Sequence, residues 1–126
     1  MDILVESLMS EKALSIEAGK SVRDLAREMT QNKVGSLLVT KQEEYVGIVT
    51  EVDIVRKAVS HGMDPKTITV ESIMTSPIIT IESDQSVIEA NNLMEERHIR
   101  HVAVTRDGEI VGILSVRDLL HPVYVS

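Results

Sequence analysis

Val46-Gly47-Ile48-Val49-Thr50-Glu51-Val52-Asp53 returns as Val111-Gly112-Ile113-Leu114-Ser115-Val116-Arg117-Asp118, an apolar run ending in a hydroxyl residue with an aspartate three positions on. The copies stand at an offset of 65 residues, and at that offset residues 2–60 lie over residues 67–125 without a gap. Outward from the motif, Val39-Thr40 matches Val104-Thr105, Met29 matches Met94, Ser21-Val22 matches Ser86-Val87, and Ile16-Glu17 matches Ile81-Glu82. Further out, Met9 matches Met74 and Glu6-Ser7 matches Glu71-Ser72. Each copy is near the size at which an isolated core becomes marginal. The doubling therefore predicts two repeats, residues 1–62 and 63–126, that fold together as one globule with a pseudo-twofold axis. A site in one repeat then has a twin in the other.

Within the first repeat, Ala13-Leu14-Ser15-Ile16 reads as a short extended segment. Ser21 is placed to cap a helix, with Asp24 at the third helical position. Val22, Leu25, Ala26 and Met29 fall at i, i+3, i+4 and i+7, a single apolar stripe, and Asn32-Lys33 with Gly35 supplies a stop. Ser36–Thr40 and Tyr45–Val49 are rich in aliphatic and β-branched residues and predict a hairpin joined through Lys41-Gln42-Glu43-Glu44. A second helix starts near Thr50 and runs toward Gly62. The second repeat predicts the same order: Ile78–Ile81 extended, a helix from Ser86, strands at His101–Thr105 and Glu109–Leu114 around the turn signal Asp107-Gly108, and a helix from Ser115. Pro122 is expected to end that helix and leave Val123-Tyr124-Val125 extended. Residues 3–9 and 68–74 read as short lead-in helices, and His61-Gly62-Met63-Asp64-Pro65 as a linker between the repeats.

Composition narrows the function. The 126 residues are 43% hydrophobic, enough for a core, and contain no cysteine, which removes disulfides, thiolate metal sites and a cysteine nucleophile and fits a reducing, cytoplasmic setting. No apolar run approaches the ~20 residues that span a bilayer, and the N-terminus lacks the basic start of a signal peptide. A formal charge of −7 opposes broad attraction to a nucleic-acid backbone. With no Trp or Phe and only Tyr45 and Tyr124, the chain offers few aromatic platforms for stacked bases. A base held here must lie between aliphatic side chains.

The repeated motif admits two readings. A strand that ends in Thr50 or Ser115 at a helix start presents free N–H groups and the positive end of the helix dipole, which favour an anion. The hydroxyl can bond a phosphate, and the carboxylate of Asp53 or Asp118 can accept from two ribose hydroxyls. The same spacing is also a capping box, as Ser21 with Asp24 and Ser86 with Glu89 illustrate at helices where no ligand is expected.

The apolar-Gly-apolar-apolar-Thr/Ser-x-x-Asp ending, the lead-in Met74-Thr75-Ser76-Pro77 and the stretch His98-Ile99-Arg100-His101-Val102-Ala103-Val104 together resemble the CBS domain. In tandem they resemble a Bateman module, and the likeness covers essentially the whole chain. The resemblance implies an α+β fold, two β-α-β-β-α repeats whose sheets pack together and leave two clefts that in many relatives bind adenosine nucleotides such as AMP, ADP or ATP. It implies ribose hydroxyls held by Asp53 and Asp118, phosphate near Thr50 and Ser115, and adenine between the residues matching Ala13-Leu14 and Ile78-Ile79. Thr80 and Val102 count among the implied ligand contacts of the second repeat.

The repeats differ where phosphate would be gripped: Arg100-His101 in the second stands where the first has Gly35-Ser36. Arg supplies a planar fork of donors and His can add charge near neutral pH, so Arg100 and His101 mark the stronger anion site. Arg97 and His98 fit equally well as cations complementing a helix C-terminus. A smaller departure is Lys12 in place of Pro77.

His98 and His101 lack a clustered third ligand, and Glu43-Glu44 and Glu95-Glu96 read as solvated faces. No Ser/His/Asp constellation and no Walker-type glycine loop appears. The expected protein is a non-enzymatic regulatory module that requires no cofactor, takes AMP, ADP or ATP as regulatory ligand, forms a homodimer and reports occupancy to a regulated enzyme or transporter. The alternatives are a docking module without nucleotide, or a binder of another adenosyl ligand such as S-adenosylmethionine.

Overall fold

The computed structural model describes residues 2–125, with side chains described as far as Leu120. The elements follow the order α1 (Val5–Leu8), β1 (Ser15–Glu17), α2 (Val22–Asn32), β2 (Ser36–Lys41), β3 (Glu44–Thr50) and α3 (Glu51–Asp53), which passes into a π-helix (Ile54–Val59). They continue as α4 (Val70–Ile73), β4 (Thr80–Glu82), α5 (Val87–Arg97), β5 (His101–Arg106), β6 (Glu109–Ser115) and α6 (Val116–Val125). After each short lead-in helix the order is β-α-β-β-α, twice, in a mixed α+β fold.

Residues 14–78 form one compact unit, and the residues through Ala13 together with those from Ile79 onward form the other. Sequence repeats and compact units are thus cut at different places: the lead-in helix α4 belongs with the first repeat's strands, and α1 belongs with the second's.

In the first unit β1 lies parallel to β2, joined through α2 as a crossover, and β2 pairs antiparallel with β3. Ser21 accepts from the Asp24 amide at 3.0 Å to start α2, and Lys33, at φ 55°, ends it in the left-handed conformation. The buried face of α2 is Val22, Leu25 and Met29, whereas Ala26, at the margin of the expected stripe, is exposed. That face packs into a cluster with Leu37, Val39 and Val49 from the strands and Ile68, Val70 and Ile73 from the lead-in. The lead-in is tied down by its backbone: Val22 N–H donates to Ile68 O, Val70 N–H to Lys20 O, and Thr75 and Ile48 exchange bonds of 2.8 and 3.0 Å. Lys41 and Glu71 add an exposed ion pair at 2.8 Å.

The second unit repeats this plan. β4 is parallel to β5 and β5 antiparallel to β6, with α5 capped by Ser86 and ended by left-handed His98. Val5 from α1 is fully buried in a cluster with Ile81, Ala90, Met94, Val102, Val104 and Leu114. Ser10 and Ile113 exchange bonds of 2.8 and 2.9 Å, and Arg106 pairs with Glu6 at 2.8 Å, the counterpart of Lys41 with Glu71.

Three expectations change. The hairpin loop is shorter than the four-residue connection, because Lys41 pairs with Glu44 and only Gln42 and Glu43 turn, both at positive φ. The helix after β3 becomes a π-helix: the Ser60 hydroxyl donates to the Arg56 carbonyl, and the Ser60 amide passes back one residue further, to Val55 O at 2.9 Å. Finally, α6 runs through Pro122 to Val125 where an extended tail was expected. Proline's fixed φ suits a helix, at the cost of the bond its missing amide cannot make and of crowding against the carbonyl four residues before it.

Candidate functional site

The repeated glycine comes first, because it sets the backbone around the motif. A Cβ on Gly47 would stand 2.8 Å from the Thr75 carbonyl oxygen and 2.6 Å from the Met74 sulfur, and one on Gly112 would stand 2.6 Å from the Ser10 carbonyl oxygen. Only glycine lets the lead-in segment run beside β3 or β6 at this distance. Each apolar-Gly-apolar stretch is therefore a docking groove for a lead-in, and the strand that carries it delivers the Thr/Ser residue to its helix start.

At the end of β3, Thr50 caps α3 reciprocally. Asp53 N–H donates to Thr50 Oγ1 at 3.4 Å, and Thr50 N–H donates to Asp53 Oδ2 at 2.9 Å. At the end of β6, Asp118 N–H donates to Ser115 Oγ at 3.3 Å and Ser115 N–H donates to Asp118 Oδ2 at 2.8 Å. Capping is present at both motifs, and it leaves each aspartate's other oxygen for a further donor.

Those second oxygens have different surroundings. Lys57 Nζ lies 3.1 Å from Asp53 Oδ1 and donates at 3.1 Å to the carbonyl of Ile73 at the end of α4, while the Asp53 side chain is only 10% exposed. Asp118 is part-buried, and among the described side chains it enters no ion pair. The residue at the Lys57 position of the second repeat is Pro122, which has no cation to offer.

The second unit contains most of the residues singled out for that repeat. His101 pairs across the sheet with Ser115, and the Arg100 carbonyl accepts from Val116 N–H at 3.0 Å, so the strand start and helix start are joined by their backbones. Arg100 is exposed and His101 part-buried. Ile79, part-buried against the unit's core, accepts from Ala103 N–H through its carbonyl, and Thr80 is exposed at the head of β4. Val102 is fully buried, so its side chain serves the core. Ala13 closes the N-terminal portion of this unit.

The first unit assembles Leu14, Gly35, Ser36, Thr50 and Asp53 in the same way. Ser36 is buried and pairs with Thr50, Gly35 O accepts from Glu51 N–H at 3.1 Å, and Leu38 N–H donates to Leu14 O. Ile78 is the last residue of this unit. It has no basic pair where the second has Arg100-His101. Sequence reasoning missed Lys57, although its i, i+4 spacing from Asp53 was a readable signal. Among the described residues, no three His, Asp or Glu side chains gather as metal ligands, and no helix is long and apolar enough to cross a membrane.

Two tandem β-α-β-β-α units, each ending in a capped Thr/Ser-x-x-Asp helix start, define a paired-domain architecture. The chain belongs to the CBS domain family, whose sequence profile matches residues 5–60 and 70–124. It is 36% identical over 108 residues to a mitochondrial CBS domain-containing protein of Arabidopsis thaliana, covering 82% of this chain and 52% of that one. An uncharacterized conserved protein from Pyrococcus horikoshii superposes with a TM-score of 0.90 at 34% identity, covering 98% of this chain and 93% of that one. The hexameric CBS-CP12 protein from bloom-forming cyanobacteria superposes at 0.89 with 32% identity, over 96% of this chain and 72% of that one. The chain spans about half the length of the curated relatives it matches foremost.

Proposed function

We propose that this CBS pair is a non-enzymatic sensor that binds an adenosine nucleotide, AMP, ADP or ATP, at the second-repeat helix start and passes its occupancy to a partner protein. The observation that carries the reading is the junction of Arg100-His101 with Ser115 and Asp118, held by the His101–Ser115 pairing and the Val116 N–H to Arg100 O bond. Ribose hydroxyls donate to the Asp118 carboxylate. The phosphate lies over the N-terminus of α6, where the dipole and the Ser115 hydroxyl favour negative charge and Arg100 supplies a fork of donors. Ile79 and neighbouring aliphatic side chains flank adenine in place of aromatic stacking.

In a chain of net charge −7, this local basic pair favours an anion that the overall charge opposes. The protein acts as a homodimer in a reducing, cytoplasmic setting; self-association is in keeping with the hexameric assembly named for the cyanobacterial neighbour. Ligand affinity and assembly are then reciprocally linked, as any two coupled equilibria must be.

Isothermal titration calorimetry of nucleotide-stripped protein with AMP, ADP and ATP tests this. Saturable binding at one site per chain that is lost in Asp118→Asn supports the sensor. No heat with any of the three overturns it in favour of a docking module or a binder of another adenosyl ligand.

A further inference from the structure

The two aspartates that end the repeated motif are chemically unequal, and the difference lies in a residue outside the motif. Asp53 Oδ2 accepts from the Thr50 amide at 2.9 Å, and its Oδ1 faces the Lys57 ammonium at 3.1 Å. The ammonium is held from its other side by the Ile73 carbonyl, at 3.1 Å, an acceptor left over at the end of α4. Lys57 thus bridges two acceptors of one compact unit, with an Asp53 side chain only 10% exposed. A pair of vicinal hydroxyls needs both donors aimed at one accessible carboxylate. Here the accessible donor position is filled by the chain's own ammonium.

We infer that Lys57 closes the first-repeat site against ribosyl ligands, standing in for the hydroxyl donors that Asp53 would otherwise receive, so that one chain carries one working nucleoside site. The inference rests on the nucleotide reading above and deepens it by naming the residue that makes the twin sites unequal. In the second repeat Pro122 stands at the matching position, and among the described side chains none forms an ion pair with Asp118. Gly35-Ser36 in place of Arg100-His101 would weaken phosphate binding in the first repeat but cannot exclude an uncharged nucleoside. Lys57 can. The two causes are separable by choosing a ligand without phosphate.

The test is calorimetric titration of the full chain with adenosine. Wild type is expected to take up one equivalent, Lys57→Met two, and Asp118→Asn none, while the Lys57→Met/Asp118→Asn double variant regains one. A reciprocal variant, Pro122→Lys, installs an ammonium four residues after Asp118 and keeps Asp53-Lys57 intact; it is expected to weaken adenosine at least tenfold, and it decides the matter if Lys57→Met does not fold. One equivalent in both wild type and Lys57→Met, with no weakening by Pro122→Lys, overturns the closure while the nucleotide reading stands. Two equivalents in wild type do the same. No uptake of adenosine by wild type or any variant overturns the closure, while the nucleotide reading then stands or falls with the titrations of AMP, ADP and ATP.

Discussion

Gly47 lies so close to the Thr75 carbonyl oxygen that a Cβ built on it would stand 2.8 Å away, and the Ile48–Thr75 hydrogen bonds beside it hold the lead-in in place. Gly47→Ala must either push the 68–75 segment off the strand or distort β3. Overpacking of this kind costs about 1–3 kcal/mol, here against backbone that cannot swing aside. Urea unfolding of Gly47→Ala should show a matching drop, with amide exchange rising first at Ile48 and Thr75. Gly112→Ala should do the same at Ile113 and Ser10.

The caps at Thr50 and Ser115 look alike but should respond unequally to mutation. Asp118→Ala removes a half-buried cap acceptor and is expected to cost about 1 kcal/mol. Asp53→Ala removes the cap and also the Lys57 ion pair, whose ammonium is 45% exposed and keeps its water, for a loss of about 1–2 kcal/mol. Thermal unfolding of the two variants side by side measures the difference; equal losses would mean that the Lys57 contact contributes nothing.

The hairpin turn of the first repeat places Gln42 at φ 52° and Glu43 at φ 66°, where the second repeat has Asp107 and Gly108. A side chain at such a φ costs ~1–2 kcal/mol, partly offset by the greater freedom glycine has when unfolded. Glu43→Gly should therefore stabilise the protein by about 1 kcal/mol, read as a higher urea midpoint with an unchanged slope.

Val5 is fully buried against the strands of the second repeat, although it lies in the first few residues of the chain. Val5→Ala is expected to cost about 2 kcal/mol. Its signature is positional: amide exchange should quicken in β4, β5 and β6 and stay unchanged in β1, β2 and β3. Val70→Ala should give the opposite pattern. Faster exchange across the first repeat's strands in Val5→Ala would contradict the division of the chain into these units.

Much of the fold was legible because its signals are local and doubled. Ser21 with Asp24 and Ser86 with Glu89 marked helix starts that the structure places where expected, and Asp107-Gly108 marked its turn. Less legible were features decided by distant partners or by competition between nearly equal options. The π-helix, ended by the Ser60 amide reaching back to Val55 O, is a choice that no apolar periodicity reports. The assignment of α1 to the second repeat depends on contacts across most of the chain length, such as Arg106 with Glu6. At the candidate site, the Thr/Ser-x-x-Asp spacing could be read directly, but the same spacing serves as a cap at both positions. Lys57, between Asp53 and the Ile73 carbonyl, separates them together with Arg100-His101.

The exchange of lead-in segments also sets an order of events during synthesis. Residues 14–78 are continuous, so that unit can close once Ile78 has left the ribosome. The segment containing Val5, Leu8 and Met9 emerges before any of this, yet its berth beside β6 is made only after that unit is complete. Throughout that interval these apolar side chains have no native neighbours and are open to the wrong ones. The stretch made before that unit is thus covered only after it.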